Sequence, residues 1–158
     1  MNRVLKLQSL VLKRISEFEN SVVRRDYPLD WERIHMVSSA KIAQVLALKR
    51  GADPELAALA CTVHDYGRVV TGKQKNHAEA GFLPVKALLS EAGFFTADEI
   101  DLISLAAKNH SSKKEIGSPV EEIVKDADVL DCHQYDIPLP REEQLQRLEK
   151  VLKELSCR

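Results

Sequence analysis

The chain has 158 residues, with 23 Lys and Arg against 24 Asp and Glu, and 44% of its residues are hydrophobic. That length predicts one domain with a core large enough to fold without staples, and the composition excludes a disordered or fibrous chain. A formal net charge of −1 argues against a binder of nucleic-acid polymers or membrane surfaces, which would carry a basic excess.

The predicted elements are helices from end to end. Val4, Leu7, Val11, Ile15, Phe18 and Val22 recur at three- and four-residue steps, which predicts a first helix over about residues 3–24. A turn around Tyr27-Pro28 follows, and Asp30 is placed to cap a second helix from 31 to about 49, stopped by Gly51. Asp53-Pro54-Glu55 supplies a cap, a first-position proline and an early acid for a third helix. The stretch 66–75 holds Gly67 and Gly72 and reads as a loop. A fourth helix runs from about 77 to 92, with Pro84 as a candidate kink. Thr96 with Glu99 forms the capping-box pattern of a fifth helix ending near His110, and Ser118 with Glu121 that of a sixth ending near Gln134. After Pro138 and Pro140, Leu145, Leu148, Leu152 and Leu155 give the stripe of a last helix over about 141–156. No strand pattern appears and aromatics are only 5%, so the expectation is an all-α, compact single-domain helical bundle of six to seven helices.

No apolar run approaches the roughly 20 residues of a membrane helix. The basic residues Arg3, Lys6 and Lys13 interrupt the N-terminal apolar pattern, so no signal peptide is expected. Cys61, Cys132 and Cys157 are odd in number and show no C-x-x-C, which suggests reduced thiols and a cytoplasmic setting.

The informative feature is the placement of five histidines: His35, His64, His77, His110 and His133. Neutral imidazole is the commonest protein metal ligand. His35 falls within the second predicted helix, His64-Asp65 ends the third, His77 opens the fourth and His110 closes the fifth. The sixth carries Asp126, Asp128 and Asp131 beside Ile123, Val124 and Leu130. A lone histidine on an apolar helix is ordinarily a core or surface residue, and Asp126 and Asp131 read equally well as solvated acids. Adjacent helical positions such as His64 and Asp65 point about 100° apart, so both reach one ion only if the helix frays or the longer imidazole bends back.

His35, His64-Asp65 and Asp128 together resemble the H…HD…D signature of the HD-domain metal-dependent phosphohydrolases. The resemblance covers about residues 20–135. Val63-His64-Asp65-Tyr66-Gly67-Arg68 is similar to that family's second motif, and Lys125-Asp126-Ala127-Asp128-Val129-Leu130-Asp131 to its last. His77 and His110 sit where binuclear members add ligands, among them cyclic-dinucleotide phosphodiesterases and dinucleoside tetraphosphate hydrolases. The resemblance implies an all-helical fold and one or two divalent transition ions (Fe, Mn, Zn, Ni or Co, with Mg admitted). It implies His35, His64, Asp65 and Asp128 on one ion, with Asp65 bridging to a second held by His77 and His110. The Gly-Tyr-Pro element of the cyclic-di-GMP enzymes is absent and Ser111 follows His110, which argues against that substrate.

The implied activity is hydrolysis of a phosphate ester or anhydride, of a nucleotide or related small molecule, by hydroxide formed on the metal with Asp65 at its centre. Imidazole with carboxylate suits such ions better than calcium. Arg68 is the candidate phosphate clamp and second catalytic residue, with Lys73, Lys75, Lys113 and Lys114 as further cationic candidates. His133 has no counterpart in the pattern. The alternative is a non-catalytic, metal-dependent sensor that binds a nucleotide. A phosphate loop over residues 67–74 is a weaker rival, because Gln74 replaces the hydroxyl residue that the motif requires and no strand precedes it.

Overall fold

The computed structural model describes residues 2–156, so Cys157 lies outside the described residues. Eight α-helices and no strand occur among them: α1 Arg3–Glu17, α2 Leu29–Arg50, α3 Pro54–Val63, α4 Tyr66–Thr71, α5 His77–Ala92, α6 Ala97–Asn109, α7 Pro119–Gln134 and α8 Glu142–Ser156. None is long and apolar enough to cross a membrane.

The sequence of α3 dictates the arrangement. Asp53 caps it by accepting from the Glu55 and Leu56 N–H groups, and Pro54 opens it. Every residue from 57 to 63 is buried, so this short helix runs through the centre of the bundle. The helices α1, α2, α6 and α7 pack around it, α5 packs on α4 and α6, and α8 lies on α7. Leu7, Ile15, Leu46, Leu59, Ile103 and Ile123 fill one continuous core. Each such side chain contributes about 1.5–3 kcal/mol through removal from water. Both expected capping boxes form, at Thr96 with Glu99 and at Ser118 with Glu121.

Four expectations are corrected. The first helix ends at Glu17 rather than near 24. Val4, Leu7, Val11 and Ile15 are buried as the periodicity requires, but Val22 is fully exposed. Residues 18–28 instead cross the end of α4: Arg25 donates to the Val69 carbonyl at 2.7 Å and Asp26 N–H to the Gly72 carbonyl at 2.8 Å. Asp30 does not cap α2. Pro28 holds the cap position without a side-chain bond, and Asp30 pairs with Arg33 inside the first turn. In α8 only Leu148 and Val151 are buried, while Leu145, Leu152 and Leu155 stay exposed, because α7 covers only one edge of the leucine stripe.

The fourth correction positions the site. Residues 66–71 form a helix, α4, rather than a loop, which raises the count to eight. Gly72 ends α4 in the left-handed conformation, φ 72°. Gly67, inside α4, is there for contact. A Cβ at Gly67 would lie 2.0 Å from the His77 carbonyl oxygen and 2.7 Å from the Gly81 Cα. The backbones of α4 and α5 therefore touch, and that contact holds the first residue of α5, His77, beside the start of α4. Gly67→Ala is expected to cost roughly 1–3 kcal/mol or more, because two backbones must part; urea unfolding of the variant measures it.

On α7, Glu122 accepts from Arg147, Lys125 and the Gly117 N–H at 2.9–3.0 Å. Burial alone would raise this carboxyl, but those three donors outweigh it and pull its pKa down to about 2. A depressed carboxyl stabilises the fold fully above its ordinary value near 4.5, and the contribution disappears as pH falls toward 2. Glu122→Gln should therefore destabilise the protein by about 1–3 kcal/mol at pH 7. The gap between variant and wild type should close between pH 4.5 and pH 2 in thermal melts.

Candidate metal centre

The His64-Asp65 pair sits where one helix stops and another starts. His64 ends α3 at φ −59°, ψ −35°, and Asp65 precedes α4 at φ −98°, ψ 9°. That break removes the 100° divergence of adjacent helical positions. His64 Nε2 and Asp65 Oδ2 consequently lie 3.3 Å apart and face the same point. From the middle of α2, His35 brings Nε2 to 3.3 Å from Asp65 Oδ2 and 3.1 Å from His64 Nε2. From the middle of α7, Asp128 places Oδ1 3.2 Å from His35 and 3.7 Å from His64. On the other side of Asp65, Oδ1 lies 2.9 Å from His77 Nε2 and 3.3 Å from His110 Nε2, and those two nitrogens are 3.0 Å apart.

All six residues named from the sequence therefore converge. They form two groups that share Asp65: His35, His64, Asp65 and Asp128, then Asp65, His77 and His110, with the candidate ligand atoms of each group within 4.8 Å of one another.

The outward nitrogens fix the tautomers. The Nδ1 atoms of His64, His77 and His110 donate to the carbonyls of Cys61, Gln74 and Ala107, each at 2.6 Å. A carbonyl only accepts, so these Nδ1 atoms carry protons and the Nε2 lone pairs point inward. His35 Nδ1 lies 2.6 Å from Asp131 Oδ2. Two pairs of inward nitrogens about 3 Å apart repel unless positive charge lies between them. This donor set fits divalent ions that take imidazole nitrogen and carboxylate oxygen together.

The electrostatics agree. Burial disfavours a charged imidazole at His64, yet Asp65 and Asp128 outweigh it and raise its pKa to about 9. At His35 burial also lowers the pKa, and Asp128, Asp131 and Asp65 raise it well above the usual value. At His110 burial dominates and the pKa falls to about 4. Asp65 and Asp128 are buried, which raises their pKa values, but Arg68 and Lys113 respectively hold both well below the carboxylate range. The shell pocket contains four acids (Asp65, Asp128, Asp131, Glu32) and two bases (Arg68, Lys113), a formal charge of −2. Without a cation, a proton on an imidazole balances part of that charge, and cation binding displaces it.

The cationic candidates fare differently from the ligands. Arg68 does not present an open clamp for phosphate. It donates to both oxygens of Glu32 at 2.7 and 3.1 Å, to Asp65 Oδ2 at 2.5 Å and to Gln74 at 2.7 Å. It is a positioning residue for Asp65, tied down because a buried guanidinium needs carboxylates around it. Lys73 pairs with Asp26 at 3.5 Å, and neither it nor Lys75 lines the cleft above the site. Lys113 is buried against Asp128, and Lys114 is exposed. His133 is exposed and takes no part.

Three contributors were missed. Asp131 and Glu32 are buried partners of His35 and Arg68, and Trp31 stacks on the His35 ring with centroids 4.7 Å apart. Asp131 and Asp126 are not solvated acids; Asp126 pairs with Arg50 and Arg147. A usable signal existed for two of these. Asp131 stands one helical turn after Asp128, and Glu32 one turn before His35, so each shares a face with a ligand.

The centre opens into a cleft of about 580 Å³. Tyr27, Trp31, Ile137 and Pro138 supply apolar lining, and Asn76, Lys108 and Arg141 polar lining. A family model described as "HD domain" matches residues 33–132, a span that contains all six converging residues. The chain belongs to the HD-domain family. No curated protein matches this HD domain. Its fold is similar to the crystal structure of a predicted HD superfamily hydrolase from an uncultured Thermotogales bacterium. That likeness has a TM-score of 0.63 at 19% identity and covers 96% of this chain and 88% of the other. The expected all-helical HD architecture is thus the observed one.

Carboxylates that orient an imidazole ligand tune its basicity and direction. Asp131→Asn should leave the HD fold intact but weaken divalent-cation binding roughly 10–100-fold. Competitive titration against a chromogenic chelator measures the loss.

Proposed function

We propose that this HD domain is a metal-dependent phosphohydrolase acting on a small phosphorylated molecule, a nucleotide or a relative of one. The observation that carries the proposal is the pair of facing imidazole couples, His35 with His64 and His77 with His110, joined through the two oxygens of Asp65. In this reading His35, His64, Asp65 and Asp128 hold one divalent transition ion, and Asp65, His77 and His110 a second. When bound, such ions acidify water to near neutrality and clamp phosphoryl oxygens for in-line displacement.

The protein's own groups do the remainder. Asp65 is the shared ligand, and Arg68 holds it in register through Oδ2 while Glu32 holds Arg68. Trp31, flat against His35, keeps solvent from the back of that ring. In this reading Asn76 and Arg141, which line the cleft, orient the phosphate, and Tyr27 with Ile137 and Pro138 receives the organic part of the substrate. Arg141 also donates to the Ser111 carbonyl at 2.9 Å, which fixes the rim beside His110. No protein nucleophile is needed in this reading. Cys132, half-buried beside Asp128, has its thiol pushed well above the usual thiol range by burial and by the Asp128 and Asp65 carboxylates.

The test combines metal analysis with turnover. Protein purified without added metal should carry a transition ion. With Mn²⁺ or Co²⁺ it should hydrolyse at least one member of a panel of p-nitrophenyl phosphate, mononucleotides and dinucleoside polyphosphates. A chelator should abolish turnover and added metal restore it, while Asp65→Ala should lose both metal and activity. Turnover retained by Asp65→Ala would overturn the site, and tight cation binding without hydrolysis across the panel would leave a nucleotide sensor in place of the enzyme.

A further inference from the structure

Lys113 is an unusual lysine. Its neighbours Ser112 and Lys114 face solvent, yet its own side chain is only 1% exposed. Nζ donates to Asp128 Oδ2 at 2.5 Å and to the Lys125 carbonyl at 3.2 Å. The surrounding loop is drawn inward by two further cations. Arg147 donates to the Lys113 carbonyl, and Lys125 to the Glu115 carbonyl, both at 2.7 Å. Burying a lysine costs free energy unless an anion compensates, and here the anion is a residue of the metal centre.

The two oxygens of Asp128 therefore have separate partners. Oδ1 faces His35 and His64, and Oδ2 faces Lys113. At Asp65, by contrast, both oxygens face imidazoles, and Arg68 shares Oδ2 with them. Lys113 does not border the cleft, so its charge serves the carboxylate rather than a substrate.

We propose that Lys113 sets the cation preference of the centre. By holding Oδ2 it confines Asp128 to ligation through Oδ1 alone and offsets one negative charge of the shell. The centre then favours ions that bind imidazole nitrogen strongly and disfavours the hard ions Mg²⁺ and Ca²⁺. Hard ions depend on the number and charge of oxygen ligands, and a second carboxylate oxygen is what Lys113 withholds. Ions of the Zn, Co and Ni kind draw on the two nitrogens instead, which Lys113 does not touch. The inference rests on His35, His64, Asp65 and Asp128 being a cation site. Lys113 is a positioning residue, since it reaches neither substrate nor ion directly.

Calorimetric titration of cation-free wild type, Lys113→Met and Lys113→Arg with Co²⁺, Mg²⁺ and Ca²⁺ tests it. Met fills a similar volume and frees Oδ2. Mg²⁺ and Ca²⁺ affinity should rise about tenfold or more in Lys113→Met, with a narrower preference for Co²⁺. The visible spectrum of bound Co²⁺ should also change, as one more oxygen joins its ligands. Lys113→Arg should keep the wild-type preference. An unchanged Co²⁺-to-Mg²⁺ affinity ratio and an unchanged spectrum in Lys113→Met would overturn the inference. A wild type that binds no cation overturns it together with the proposed function, whereas a wild type that binds Co²⁺ like Lys113→Met overturns the inference alone. If Lys113→Met fails to fold, ¹⁵N-lysine-labelled wild type decides. The Nζ resonance missing from Lys113→Arg should shift strongly on addition of paramagnetic Co²⁺, and an unshifted resonance would place Lys113 away from the centre and overturn the inference.

Discussion

Repulsion between lone pairs is the constraint around which this molecule is organised. Four imidazoles bring Nε2 atoms to within about 3 Å of one another in pairs, and a single carboxylate, Asp65, stands between the pairs. Neutral rings that already donate through Nδ1 have nothing to donate to each other, so the couples repel unless a proton or a cation stands between them. The arrangement becomes favourable once positive charge enters. The fold meets the cost of holding the rings there with a wholly buried α3 and with the break between α3 and α4, which lets His64 and Asp65 turn toward the same point.

Bare carboxylates present the opposite difficulty, and the molecule treats each with its own buried base. Asp65 has Arg68, itself held by Glu32, and Asp128 has Lys113. These contacts tie distant parts of the chain to the centre. Arg147 in α8 binds the carbonyl of Lys113 and also Glu122 and Asp126, so a helix with only two buried side chains still helps to fix a loop beside Asp128. The small apolar contact of α8 is supplemented by these ion pairs, which are partly shielded from water and therefore stronger than exposed ones.

The parts of the structure that could be read from the chain are those encoded locally. Asp53-Pro54, the two capping boxes and Gly51 set helix ends where they were expected, since each acts within four residues. The errors share a different cause. The stripe through Val22 has helical spacing, but the segment after Glu17 is drawn across the end of α4, where Arg25 and Asp26 bond the Val69 and Gly72 carbonyls. Gly67 suggested a loop because a glycine in a helix is costly alone; its reason is the approach of α5, which no local pattern reveals. The same holds for the site. The ligand residues stood out by type, while Asp131 read as a solvated acid and Glu32 did not stand out at all, although the fold buries both. Arg68 and Lys113 looked like phosphate binders because the carboxylates that complete their pairing are remote in sequence, Glu32 lying 36 residues from Arg68 and Asp128 15 from Lys113, while Asp65, three residues before Arg68, read only as a ligand.

One local rule does connect the histidines to their helices. Three of the four rings donate to a carbonyl three residues earlier: His64 to Cys61, His77 to Gln74 and His110 to Ala107. At the C-terminus of a helix the last carbonyls lack helical partners, so His64 and His110 find an acceptor already in place and need no second side chain to fix the ring. His77 obtains the same geometry from the turn before α5. His35 lies in the middle of α2, where the carbonyls are spent on the helix, and it alone requires a carboxylate, Asp131, on its outer nitrogen. A histidine at a helix end thus arrives pre-oriented, whereas one at mid-helix depends on an acid from another element. The acid to look for, in a chain read without its structure, is one on the helix that also carries a ligand, as Asp131 lies one turn beyond Asp128 on α7.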